Sequence, residues 1–167
     1  MKSNIKAAND RTVIGSFEKQ FARLHARYCS LIQSTPSEIL YRNPRSSGTR
    51  LLYSVGENVL RGAGSIEQTF GGITANLWDD PFEWTLPENL SSAASVIEYL
   101  EECEATRQRA FACFARDADL LKEILTPGNA MRPLIDLLTE TLVKASDYYG
   151  RATATLSLLS DLPISQC

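Results

Sequence analysis

Histidine is nearly absent. His25 is the only one in the 167-residue chain, so any site needing two imidazoles is excluded. Long apolar runs are missing too: no stretch approaches the ~20 residues of a membrane span, and no membrane association is expected. The opening Met1-Lys2-Ser3-Asn4-Ile5-Lys6 lacks the apolar stretch of a secretion signal, and a cytoplasmic protein is expected. No segment of useful length alternates apolar with polar residues, which argues against a sheet protein. The cysteines Cys29, Cys103, Cys113 and Cys167 form no C-x-x-C pair, and the Cys103 to Cys113 spacing fits no common zinc or redox pattern. They read as neutral thiols of a reducing compartment. In a helix Cys29 would lie beside His25, as any residues four apart do.

What remains is ordinary globular composition, 44% apolar and 22% charged, with room for a single domain over residues 1–167. Its ends, 1–10 and 164–167, are the places for disorder. Charge is uneven. Residues 1–62 carry ten Lys/Arg against four Asp/Glu, a net of +6, and residues 63–167 carry a net of −9. A nucleic-acid footprint is one account of the basic third. A basic helix packed beside an acidic one is the other, and without interleaved aromatics no nucleic-acid partner is expected.

Four segments carry helical periodicity. Val13, Phe17, Phe21, Leu24, Tyr28 and Leu31 recur at steps of three and four, before Thr35-Pro36-Ser37 ends the run. Val55, Val59, Ala63, Ile66, Phe70, Ile73 and Leu77 predict a second helix from about Ser54 to Leu77. Its five glycines point to a close approach or a bend; Gly62-Ala63-Gly64-Ser65 lacks the strand and G-K-[ST] ending of a phosphate loop. A long crossover follows, Trp78-Asp79-Asp80-Pro81-Phe82-Glu83-Trp84-Thr85-Leu86-Pro87-Glu88, read as an aromatic plug rather than a cation loop. The third helix starts near Ser91 or Ser92, burying Val96, Leu100, Cys103, Ala110 and Phe114 and wetting Glu98, Glu101, Glu102 and Glu104. Residues 117–125 read as one more helical turn, and Thr126-Pro127-Gly128-Asn129 breaks it. The fourth helix runs from about Met131 to Leu159, with Pro133 in its first turn. The fold class expected is all-α, a four-helix bundle.

Ser54-Val55-Gly56-Glu57-Asn58-Val59-Leu60-Arg61 is similar to the start of helix two in the DinB-like family of small four-helix bundles. Tyr149-Gly150-Arg151-Ala152-Thr153-Ala154-Thr155-Leu156-Ser157-Leu158-Leu159 resembles that family's H-R-G-Q-x-x-x-x-L-R-L-L ending of helix four. The Tyr41-Arg42-Asn43-Pro44 connector and the long loop fit the same layout, so the resemblance spans residues 17–163. It implies a bundle that is often a homodimer, with a divalent metal held by one histidine of helix two and two of helix four. Carried over, those ligands fall on Arg61, Lys144 and Tyr148. Guanidinium and ammonium groups repel cations and a phenol stays protonated, so no metal and no cofactor is expected.

Two functions follow from the resemblance: a binding or interaction protein that has lost the metal, or a divergent thiol S-transferase or hydrolase using carboxylates. Arg61, Lys144 and Tyr148, with Arg151 beside them, suit a small phosphate or carboxylate. Glu57 and Asp147 would instead cancel the cations internally, and the expectation is a small cavity with Arg61 on an acidic side chain, Glu57 first. His25 is expected at the edge of the core with one ring nitrogen bonded.

Overall fold

Apolar side chains at three- and four-residue spacing draw most of this chain into helix. A computed structural model describes residues 10–44, 52–81 and 85–159. Expectations placed on 1–9, 45–51, 82–84 and 160–167 lie outside the described residues. Helix α1 spans Thr12–Ser34, the one-turn α2 Ser37–Leu40, α3 Val55–Ala75, α4 Ala93–Ala112 and α5 Leu134–Leu159. Between α4 and α5 come a 3-10 turn, Asp117–Leu121, and a two-stranded antiparallel hairpin of β1 (Glu123–Thr126) and β2 (Ala130–Pro133). The chain is thus mostly helical. Among the described residues, no helix is long and apolar enough to cross a membrane.

The four long helices pack around one core. Helix α3 lies against α5 over most of its length and against α4, while α1 lies against α4 and, less extensively, α5. Each long helix turns its periodic face inward: Phe21, Tyr28 and Ile32 of α1, Val55, Val59 and Phe70 of α3, Leu100 and Phe111 of α4, and Leu138, Ala145 and Ala152 of α5 are all buried. Rings of Phe21, Phe70 and Phe111 meet at centroid separations of 5.2 to 6.0 Å, within the range of favourable aromatic contact.

Backbone closeness explains the glycines of α3. The ring of Tyr41 lies against Gly56, that of Tyr28 against Gly62 and that of Trp78 against Gly72; a Cβ at any of the three would overlap the ring. Trp78 is half-buried and packs on Gly72; the other aromatics of the crossover, Phe82 and Trp84, lie outside the described residues. Caps fix the helix starts. Ser54 and Glu57 form a reciprocal capping box at α3, and Ser92 and Ser95 do the same at α4. Helix α1 is capped from far along the chain, with Asp117 Oδ2 and Oδ1 accepting from Val13 N (3.0 Å) and Ile14 N (2.9 Å).

Four sequence expectations are corrected. Leu125 lies in β1 rather than in helix, because Gly128 (φ +86°) and Asn129 (φ +60°) turn the chain back and pair Thr126 with Ala130. Pro133 ends β2, and α5 begins one residue later rather than at Met131. Val13 and Leu77 are 41% and 59% exposed: Ile14 takes the buried place at the start of α1, and α3 stops at Ala75, before Leu77. Glu104 is drawn into the protein by Arg107, whose Nε donates to its Oε2 at 2.7 Å.

Candidate functional site

Residues 61, 64, 65 and 68 are spaced i, i+3, i+4 and i+7, so Arg61, Gly64, Ser65 and Gln68 form one stripe of α3. Lys144 and Tyr148 form the facing i, i+4 pair on α5. These six residues, with Leu60, line a cavity of about 60 Å³, with Asp80 and Thr85 of the α3–α4 link also on its wall. That volume is several times the ~10–15 Å³ that holds one water. The structure thus brings Arg61, Lys144 and Tyr148 together around one small space.

Neighbouring polar groups hold the frame. Thr69 Oγ1 and Thr141 Oγ1 are 2.7 Å apart and tie α3 to α5. Ser65 Oγ donates to Gly62 O at 2.7 Å, and Gln68 Nε2 donates to Trp78 O at 2.8 Å, fastening the link to α3. Tyr28 reaches across Gly62 to donate its hydroxyl to Ala145 O at 2.6 Å. Burial holds that phenol well above its ordinary pKa, with smaller contributions from Tyr148, Asp147 and Tyr149, so it stays a donor.

Arg61 is half-buried, its guanidinium 4.0 Å from the centroid of the Tyr53 ring. The expected contact with Glu57 is replaced by that cation–π contact, because Glu57 is committed to its helix cap. Its Oε2 accepts from Ser54 N at 2.8 Å and Ser54 Oγ at 2.7 Å. Asp147 is not on the cavity wall either; it pairs with Arg151 at 2.5 Å on the exposed face of α5. Arg151 and Thr155 line a neighbouring groove with Tyr53 and Asn58, so of the supporting residues none faces the cavity. Lys144 is exposed and makes no ion pair with the described residues. The acids of the crossover, Asp79 and Asp80, belong to no metal-binding cluster of described residues.

His25 sits half-buried between α1 and α4, with Nε2 3.4 Å from Glu101 Oε1 and 3.6 Å from Cys29 Sγ. Ser65, Gln68, Asp80 and Thr85 were not anticipated as cavity residues. The first two share the helical stripe of Arg61 and were readable from it. The last two come from the link, whose path no periodicity reveals. No protein-family model, curated protein or solved structure matches the chain.

Proposed function

We propose that the chain is a DinB-like four-helix bundle in which a cation-lined polar cavity takes the place of the family's metal centre and binds a small oxyanion, a phosphate or carboxylate. One observation carries it: the three positions onto which the resemblance places metal ligands, Arg61, Lys144 and Tyr148, line one cavity between α3 and α5. Lys144 supplies an ammonium group, Arg61 a planar guanidinium, and Tyr148 with Ser65 and Gln68 neutral hydrogen-bonding groups. The wall carries two cationic side chains, Arg61 and Lys144, against one carboxylate, Asp80, and a small oxyanion suits that balance. The protein is then a binding protein rather than a metal-dependent enzyme, and the homodimer implied by the resemblance and the cytoplasmic setting expected from the sequence belong to the same reading.

Thermal unfolding in inorganic phosphate and in acetate, against chloride at equal ionic strength, tests it. A millimolar site exposed to ~10 mM anion gains about 1.4 kcal/mol. For a domain of this size that raises the midpoint by roughly 3–6 °C. The shift should saturate and be lost in Lys144→Ala. No shift beyond the chloride control, or one that Lys144→Ala leaves intact, returns the cavity to a satisfied polar network. Sedimentation of the purified chain tests the dimer, and turnover of thiol-transfer or ester substrates with added Zn²⁺ would favour the enzyme.

A further inference from the structure

A second concentration of reactive side chains lies at a different seam, between α1 and α4. His25 and Cys29 stand one turn apart on α1 and so project from the same face, and Glu101 reaches them from α4. Nε2 of His25 is 3.6 Å from Cys29 Sγ and 3.4 Å from Glu101 Oε1, and the ligand-capable atoms of all three lie within 4.8 Å of one another. Nε2 is closer to the thiol than Nδ1, which is 4.0 Å from the same Sγ, and Nε2 also faces Glu101. A nucleophilic Cys–His–carboxylate arrangement uses two nitrogens, one toward the thiol and the other toward the carboxylate. Convergence on one nitrogen is instead the geometry of three ligands around a shared ion. Zinc bonds of ~2.0–2.3 Å at tetrahedral angles place N, O and S atoms roughly 3.3–3.6 Å apart.

The surroundings agree. The carboxylates of Glu101 and Glu104 bring negative charge to the Cys29 thiol. Those negative charges favour a dication at the same spot. Glu104 is itself held by Arg107 and Gln108, leaving Glu101 as the acid able to swing inward. Its side chain is 62% exposed and makes the adjustment without repacking the core.

We propose that His25, Cys29 and Glu101 form a zinc-binding site with three protein ligands and a fourth position open to water. Binding breaks the Cys29 S–H bond, its proton going to solvent, and forms the metal–thiolate bond; the imidazole binds neutral and Glu101 as carboxylate. Thiolate and carboxylate together balance the charge of the ion. The site departs from the expectation that the chain carries no metal, and it shares no residue with the Arg61 cavity, so neither depends on the other.

The test uses the full chain with Cys113→Ser and Cys167→Ser, which silences the other thiols except Cys103, buried beside Glu67. The metal-free protein is titrated with Co²⁺, then with Zn²⁺ against a chromogenic chelator. One equivalent of Co²⁺ should give thiolate-to-cobalt charge-transfer absorption that one equivalent of Zn²⁺ abolishes. Cys29→Ser should remove that absorption, and Glu101→Gln, which keeps the side chain's shape, should weaken Zn²⁺ binding at least tenfold, the lower end for losing a group that orients a metal ligand. Arg61→Ala and Lys144→Ala should change neither. Absence of the charge-transfer band in folded protein, its survival in Cys29→Ser, or unchanged Zn²⁺ affinity in Glu101→Gln would each overturn the site.

Discussion

Gly62 is the most informative single position for the packing beside the cavity. A Cβ added there overlaps the Tyr28 hydroxyl, stands 2.7 Å from Tyr28 Cζ and 3.2 Å from Tyr148 Cβ. Tyr28 is fully buried and its hydroxyl is bonded to Ala145 O, so the ring cannot step aside without breaking that bond. Replacing an exposed helical glycine by alanine gains about 1 kcal/mol. Overpacking costs about 1–3 kcal/mol, and the disrupted hydrogen bond about 0.5–1.5 kcal/mol. Gly62→Ala should therefore lose roughly 0.5–3.5 kcal/mol net in urea unfolding, the sum of those three effects. Gly150, on α5 with nothing within 4 Å of its added Cβ, is the internal control, and Gly150→Ala should stabilise by up to ~1 kcal/mol. Tyr28→Phe removes the oxygen that clashes, so Gly62→Ala should cost less in that background, with a coupling of about 0.5–3 kcal/mol. If Gly62→Ala stabilises the chain as Gly150→Ala does, Tyr28 does not lie on the α3 backbone as described.

Two further outcomes are expected. Arg107 is 5% exposed and held by Glu104, so Arg107→Ala should destabilise by roughly 3–5 kcal/mol by leaving a carboxylate without its cation. Arg107→Met with Glu104→Leu should recover most of that loss in urea melts. Acid should weaken the fold through the turn that caps α1. Burial would raise Asp117, but hydrogen bonds from Ile14 and Val13 outweigh it and hold the carboxyl below its usual range. Asp119 is held at about 2, first by Lys122 and then by the Arg116 amide. Depressed carboxyls contribute stability above the unfolded pKa near 4 that disappears as pH falls toward 2. Melting temperature should drop across that window and drop less steeply in Asp117→Ala; a flat profile from pH 5 to 2 would contradict the cap.

Helix faces were legible because their cause is local. Phe21, Leu24, Tyr28 and Leu31, and Val55, Val59, Ala63 and Phe70, are buried as their spacing requires. Failures came where a distant residue decides. The start of α1 is set by Asp117, 103 residues beyond Ile14, so the choice of Ile14 over Val13 left no mark near the helix. Leu125 followed the hairpin turn rather than its own neighbourhood. Glu104 sits among acidic residues that are all wet, and its partnership with Arg107 and Gln108 draws it inward. Glu57 is different: Ser54-x-x-Glu57 is a capping-box pattern, readable in advance, and it already committed that carboxylate away from Arg61. The cavity's own triad rested on the resemblance, since no periodicity says that position 61 of one helix meets 144 and 148 of another.

The uneven charge also finds its place in the packing. Helix α1 carries Lys19, Arg23 and Arg27, and it packs against α4, which carries Glu98, Glu101, Glu102 and Glu104. With Glu18, Arg107 and Arg109 counted, α1 is +2 and α4 is −2, so their packing places only part of the +6 and −9 halves side by side. The pairing leaves the two seams unlike each other. Where α4's acids crowd the thiol and imidazole of α1, a cation is the species that relieves the repulsion. Where Arg61 of α3 and Lys144 of α5 line one cavity with Asp80, the proposed ligand is an anion. The two proposed sites would therefore take ligands of opposite sign. A salt that stabilises one seam by specific binding should leave the other unmoved, whereas general ionic screening would weaken both together.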